Sequence, residues 1–466
     1  SGMKDKRAVF NLFYRKAPDT NNWAVVSGIT EVLEVIKGLN CGDESFFEQF
    51  LPGENYKEVR QYFANMKFTG NVYAMREGEI AFPTQPIITI EAPIIEGQVL
   101  ETPLLSIMNH QMAVATKASR VTRSTTKPVS EFGSRRAHGP WAAIYGGKAA
   151  LIGGCANSSN IVSGMTFGFP STGTMAHSYV TSFGCSIKGE FTAFDTYIKT
   201  HKSEVLILLI DTYDTLRCGV KNAIKAFKEN GIDDSYPYGY GIRLDSGDLT
   251  YLSVKCREML DEAGLKKCKI FATNALDEYL ITELERQGCQ VDSYGVGDAI
   301  ATSKHNPCFG NVFKLVQIDD MPVLKRSEDR IKLINPGFQI TYRIIQNGKF
   351  KVDVTCLRGD DLSKDIEAGK TITVRDERDR FKSMKFEEGK YEFRTLQQQI
   401  VKDGEIVYQD RTIQEKQAYY KENLAHLDDT QKRLINPHYY KCDISDALYD
   451  LKNKLIDNLV KEIEEL

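Results

Sequence analysis

Between residues 205 and 297 the chain alternates short apolar runs with helical stretches, and this alternation most constrains its fold. Val205–Ile210 (VLILLI) ends at Asp211 and leads into a helical stretch around Thr215–Lys228. Tyr238–Leu244 (YGYGIRL) meets Asp245, and Leu249–Ala263 has helical spacing. Lys269–Thr273 (KIFAT) meets Asn274, and Leu276–Arg286 is helical with Asp277 near its start. Finally Val291–Tyr294 meets Gly295, Val296 and Gly297. Runs that are apolar throughout, rather than alternating, are strands buried on both faces. Parallel βα units, with helices covering the sheet, provide that environment. Each strand ends in a polar residue or glycine, and ligand sites in α/β barrels and open sheets form at those carboxyl ends. The pattern predicts a barrel-like site; spacing alone does not establish closure.

The flanks differ. Residues 1–115 mix short strands (AVFNLFY, PIITIEAPIIEGQVL) with helical stretches, a mixed α+β part. The barrel pattern is assigned to 116–310, and 311–466 turns β-rich before closing on helices. Asn347–Gly348, between YRIIQ and KFKVDV, reads as a hairpin turn. Ile444, Leu448, Leu451, Leu455, Leu459 and Ile463 fall at helical steps and predict a packing helix. At 466 residues the chain exceeds one simple core.

Several function classes are disfavoured. Lys and Arg number 60 against 63 Asp and Glu, with no long run of either sign, so no basic face for nucleic acid is expected. No window reaches the ~18–20 uninterrupted apolar residues of a membrane span. The start, SGMKDKRAVF, lacks the apolar core of a signal peptide. The ten cysteines form no CxxC and read as reduced thiols, which points to the cytoplasm. GGKA at 146–149 falls short of a phosphate loop, with Ala142 and Ala149 where glycine and a hydroxyl would stand.

Five stretches carry chemistry. EFGSRR (131–136) sets the Phe132 ring beside Arg135 and Arg136, which suits a flat anionic ligand; a solvated basic turn is the alternative. GIRLDSGDL (241–249) places Arg243, Asp245 and Asp248 around Ser246–Gly247 at a strand-to-helix junction. Anion capture beside carboxylates that hold ribose or Mg²⁺ is one use; helix capping by Asp245 or Ser246 is the other. DTYD (211–214) offers carboxylates for hydrated Mg²⁺, or a helix cap and a surface acid. YGVG (294–297) permits close backbone approach to phosphate, or makes a tight turn. His177, in STGTMAHS, sits among small residues with no bulky aliphatic closer than Val180, which leaves either a loop histidine or a working one.

EFGSRR, STGTMAHS, LLIDTYDT, GIRLDSGDL and YGVG, in that order, resemble the nicotinate phosphoribosyltransferase family over nearly the whole chain. They are more distantly similar to nicotinamide phosphoribosyltransferase. The resemblance implies an irregular, incomplete α/β barrel plus a mixed α+β domain built from both chain ends. It implies a homodimer with active sites between barrel and partner. The implied reaction joins nicotinate to phosphoribosyl pyrophosphate, with Mg²⁺ required and ATP hydrolysed through a phosphohistidine. By motif position, Phe132 would stack the pyridine ring, and Arg135 would lie near ring and sugar. His177 would take the phosphate, and Asp211 would lie near pyrophosphate and its Mg²⁺. Arg243 and Asp245 would face nicotinate and ribose, and Gly295 and Gly297 would cradle the 5′-phosphate. Arg15 in FYRK and Lys325 in PVLKRSED would add charge for the phosphates.

Two departures from the family are visible. Members usually carry a further stretch ahead of KRAVF with an aromatic that reaches the partner's ring site, and this sequence starts almost at KRAVF. The stretch GGCANSSN (153–160) contains no carboxylate where amide-specific relatives place an aspartate, which favours nicotinate over nicotinamide. The rivals are the nicotinamide-specific enzyme and a Mg²⁺-dependent barrel lyase. The lyase reading leaves His177 unexplained, and no lysine stands at a predicted barrel-strand end for Schiff-base chemistry.

Overall fold

The computed structural model describes residues 2–17, 22–39, 42–326 and 333–466. Cys41 and the end of PVLKRSED, from Ser327, lie outside them. The chain divides into two compact units, Ser1–Ala113 with Asn306–Leu466, and Val114–His305. The boundary falls inside the long helix Glu101–Arg123.

The 114–305 unit is built on six parallel strands. Their spatial order is Asn157–Ser158, Val129–Glu131, Ser293–Val296, Lys269–Ala272, Tyr240–Leu244, Leu206–Leu209. The two outer strands do not pair with each other, so the sheet is an incomplete barrel. Leu206, Leu208, Ile242, Leu244, Ile270 and Ala272, alternate residues on one face of their strands, are all fully buried; on the other face Leu209, Gly241 and Phe271 are buried while Ile207 is half-buried, so most of both faces is covered. The connecting helices start where short polar side chains cap them. Asp214 accepts from the Leu216 and Arg217 amides, Asp248 from Tyr251, and Asp277 from Tyr279 and Leu280. Thr215–Gly219 forms a π-helical turn before the helix Val220–Glu229, so this element starts less regularly than its spacing suggests. The last strand begins later than expected and takes in Gly295 and Val296, because Tyr294, Gly295 and Val296 pair with Val129, Ser130 and Glu131.

The other unit joins both chain ends. Arg7–Tyr14 lies between Asn311–Ile318 and Ile88–Pro93 in a seven-stranded antiparallel sheet, with Phe10 stacked on Phe313 at 4.9 Å. A second sheet orders Glu392–Thr395, Gln339–Gln346, Lys349–Leu357 and Lys441–Ile444. Asn347 and Gly348 both have positive φ (55° and 65°), as a two-residue hairpin of type I′ demands. The stretch PIITIEAPIIEGQVL is only half strand. Ile88–Pro93 pairs in the sheet, and from Ile94 the chain turns helical after Pro93, whose fixed φ suits a helix entry. The final helix runs Asp446–Glu464 with Ser445 capping it, so Ile444 belongs to the preceding strand instead. Leu448 is its fully buried anchor. No helix among the described residues is long and apolar enough to cross a membrane.

Candidate active site

The carboxyl ends of the parallel strands carry one connected group of polar side chains. Asp211 follows the 206–209 strand, and its carboxylate is 2% exposed. Its Oδ2 accepts from the Asp245 amide (3.2 Å) and the Ser246 hydroxyl. Its Oδ1 is buried and has no hydrogen-bond partner in the structure. An orphaned, buried carboxylate oxygen is costly unless something binds it.

The 240–244 strand presents Arg243 and, just beyond, Asp245. Arg243 is held on three sides. Its Nε donates to Thr273 Oγ1 (3.0 Å), its Nη1 to Thr174 Oγ1 (2.6 Å), and its Nη2 lies 3.1 Å from Asp245 Oδ1. Asp245 Oδ1 also accepts from the Thr273 hydroxyl. Thr273 can reach both because its amide still bonds Leu244 O (2.9 Å), prolonging the ladder past the strand end. Directly after it, Asn274 and Ala275 take φ of 92° and 46°, a left-handed pair rare for residues with side chains.

His177 opens the short helix His177–Thr181. Buried Met175 and Val180 anchor the segment on either side, and the imidazole stays 43% exposed. Nδ1 lies 3.1 Å from Thr212 Oγ1, whereas Nε2 lies 3.8 Å from both Asp211 Oδ1 and Asp245 Oδ2. The ring is therefore no ordinary loop histidine: one nitrogen faces two carboxylates and the other a hydroxyl.

Phe132 completes the group. The Val129–Glu131 strand ends at it, and its amide donates to Val296 O (2.8 Å). Its ring lies over Gly295, where a Cβ would come within 2.9 Å of it and 2.7 Å of Thr273. Only glycine leaves that room. Gly295 is thus a strand residue under an aromatic ring rather than part of a tight turn. A Cβ on Gly297 would stand 3.2 Å from Phe132 O, so the two segments approach closely there too. Beneath Phe132, buried Glu131 accepts from the Gly133 amide and the Ser158 hydroxyl; burial pushes its carboxyl pKa up, against the pull of those two donors. Arg135 and Arg136 follow in an exposed turn.

Seven predicted residues, Phe132, His177, Asp211, Arg243, Asp245, Gly295 and Gly297, form this continuous set. Arg135 lies on the Phe132 loop. Arg15 and Lys325 belong to the other unit, where Lys325 is exposed and Arg15 Nε is buried with no partner in the structure. Capping falls to Asp248 rather than Asp245 or Ser246, because the Asp245 carboxylate is engaged with Thr273 and Arg243 and the Ser246 hydroxyl with Asp211. Asp214, the second acid of DTYD, is likewise a cap. GGKA lies inside the helix Pro140–Ile152 with Lys148 buried, so its amides are spent in the helix. The sequence gives no signal for Thr174 or Thr273, and for Thr212 only its place beside Asp211.

The Asp211 carboxylate fits a hydrated Mg²⁺, which takes one or two carboxylates plus phosphate oxygens. No cluster of three or more acidic, His or Cys ligands occurs among the described residues, so a metal fixed wholly by protein is not what the donor set offers.

Comparison with known proteins gives concordant matches. A model of the nicotinate phosphoribosyltransferase N-terminal domain matches residues 1–109, and one of its C-terminal domain matches 338–452. The nicotinate phosphoribosyltransferase of Bacillus subtilis is 37% identical over 474 residues, covering 100% of this chain and 93% of that protein. Its counterpart in Dictyostelium discoideum is 30% identical over 98% of this chain and 86% of its own length. The crystal structure of human nicotinic acid phosphoribosyltransferase shares the fold, with a TM-score of 0.81 at 24% identity over 98% of this chain and 96% of that one.

Proposed function

The chain belongs to the nicotinate phosphoribosyltransferase family, and from this premise we propose that it joins nicotinate to phosphoribosyl pyrophosphate, releasing pyrophosphate, with ATP hydrolysed through a phosphohistidine at His177. The observation that carries the reading is the histidine set between Asp211 and Asp245 beside an arginine at the ends of parallel strands.

Phe132 stacks the pyridine ring, and Arg243 faces its carboxylate. Arg135 adds charge near ring and sugar. The pyridine nitrogen attacks the anomeric carbon with its own lone pair, so no general base is needed. As the bond to pyrophosphate breaks, positive charge develops on the sugar, and Asp245 is placed to stabilise it. Bound Mg²⁺ would neutralise the pyrophosphate leaving group, with Asp211 as the residue that would hold it, directly or through water. Gly295 makes room for the Phe132 ring and, with Gly297, lets the backbone approach the 5′-phosphate.

For the phosphoryl step, the two carboxylates facing Nε2 favour the tautomer that carries its proton there, which leaves the Nδ1 lone pair free. Nδ1 attacks the γ-phosphorus of ATP: an N–P bond forms, the P–O bond to ADP breaks, and ADP leaves. Water later attacks the same phosphorus, breaking the N–P bond and releasing phosphate. Thr212, now bonded to Nδ1, must yield that position to the incoming group.

Arg15 and Lys325 are assigned to the phosphates in a homodimer with shared sites, which sedimentation of the purified protein checks. The product feeds NAD formation in the cytoplasm, a setting that suits the nine free thiols found among the described residues. The test is mononucleotide formation from nicotinate with and without ATP. His177→Ala should lose ATP stimulation and all label from γ-phosphate-labelled ATP while keeping slow uncoupled transfer. Label persisting on histidine in that variant would refute the role given to His177.

A further inference from the structure

We propose that Thr174 is a specificity-determining positioning residue, whose hydroxyl holds the Arg243 guanidinium in the orientation that meets a carboxylate on the pyridine ring. This rests on the reading of Arg243 as the partner of nicotinate. Arginine is long and loses rotamer freedom wherever it must hold one pose. Asp245, 3.1 Å from Nη2, attracts the cation but does not fix the plane of the fork. Two threonines do. Thr273 takes the Nε proton at 3.0 Å, and Thr174 takes one from Nη1 at 2.6 Å, the shortest of the three contacts.

The surroundings of the Thr174 hydroxyl support the assignment: its other polar contact, Met175 O, is 3.4 Å away, so the Arg243 Nη1 bond at 2.6 Å is its close one. Charge-assisted bonds of this kind are stronger than neutral ones and keep a planar fork in register with a planar anion. Thr174 also sits three residues before His177 on one short loop, while its partner Arg243 comes from a different strand. The hydroxyl therefore ties the loop that ends on His177 to the residue that selects the substrate.

The discriminating comparison is Thr174→Val, which keeps the shape and removes the hydroxyl, against Thr174→Ser, which keeps the hydroxyl. KM is measured separately for nicotinate, nicotinamide and phosphoribosyl pyrophosphate, with thermal midpoints recorded for each protein. Thr174→Val should raise KM for nicotinate about tenfold, the equivalent of ~1.4 kcal/mol. KM for nicotinamide and for phosphoribosyl pyrophosphate should stay put, so that discrimination falls by the same factor. Thr174→Ser should restore the wild-type values. A nicotinate KM unmoved in Thr174→Val, a parallel rise for phosphoribosyl pyrophosphate, or no rescue by serine would each overturn the proposal. A wild-type enzyme that prefers nicotinamide overturns the prior reading of Arg243 instead, which separates the two failures.

Discussion

Each of the two units contains a tight group of charged side chains, and the groups differ in how completely they are satisfied. In the unit built from both chain ends, fully buried Arg343 donates to Asp353 (2.8 and 2.6 Å), Glu79 (2.6 Å) and Ile80 O (2.7 Å). Asp353 accepts further from Tyr440 and Gln85, and Glu79 from Tyr419 and Arg394. Burial alone would ease the proton off Arg343, yet Asp353 and Glu79 outweigh it and hold the guanidinium charged, with its pKa well above the ordinary value. In the 114–305 unit, His177 stands 3.8 Å from each carboxylate, too far for a hydrogen bond, and Asp211 Oδ1 has nothing to accept from. In the first, the Arg343 guanidinium and the Asp353 carboxylate have partners throughout, and the one gap among the described residues is Arg394 Nε at its margin, a donor rather than an acceptor. The other leaves a gap with a buried acceptor at its edge, which is how charge looks when it awaits a substrate.

The sharpest way to break this contrast is to delete a charge from each group and see which property fails. Arg343→Leu strands Glu79 and Asp353 without their cation, and removing one partner of a buried pair costs ~3–5 kcal/mol. Urea unfolding should record that loss, with activity per folded molecule unchanged; a loss under ~1 kcal/mol would show the cluster is less tightly coupled than its geometry implies. Asp211→Asn should do the reverse. It keeps an oxygen for the Ser246 hydroxyl but removes the charge beside His177 and the transferring groups. We expect kcat/KM to fall about 10²–10³-fold, as for a lost transition-state electrostatic contact, with the unfolding midpoint hardly moved. Equal stability losses in the two variants would erase the distinction.

The contrast also explains what was legible in the sequence. The βα alternation was, because strands such as VLILLI and KIFAT can be apolar throughout only if both faces are covered. Asp211, Arg243 and Asp245 were legible because they are charged groups placed at strand ends, and His177 because it is a titratable group set among small residues. The threonines that orient them were not: Thr174, Thr212 and Thr273 act through single hydroxyl bonds fixed by contacts from distant segments. The closed cluster was only partly visible: Arg343 and Asp353 face each other across the hairpin that Asn347–Gly348 announces, but Glu79 comes from a distant part of the chain and nothing in its run marks it as their partner. Gly295 stayed open between close approach and a tight turn, because a glycine under an aromatic ring and a glycine in a bend have the same one-letter signal. Caps were half legible: helix starts were placed well, but whether Asp245 or Asp248 does the capping depends on which carboxylate Thr273 and Arg243 engage.

Asp443 tests the closed unit from its weakest point. It sits on the strand Lys441–Ile444 opposite Val354, next to the Asp353 cluster, yet among the described residues its carboxylate accepts a hydrogen bond only from the Glu377 amide. Burial raises its pKa to about 6, the Glu377 amide and Lys441 pull it down, and Asp376 and Glu377 push it up. Since the folded pKa lies above the unfolded value, the folded state holds the proton more tightly. Stability therefore falls as pH rises through the window from the ordinary carboxylate value to about 6, and levels off above it. This sign is opposite to that of a salt-bridged carboxylate, which stabilises the fold as it ionises. Asp443→Asn removes the penalty: the variant should match the wild type in acid, where both are uncharged, and exceed it near neutrality. Thermal midpoints of the two proteins across this pH range check the point. Parallel curves would mean that Asp443 is solvated or paired in solution, and that the closed unit has no unpaid charge of this kind.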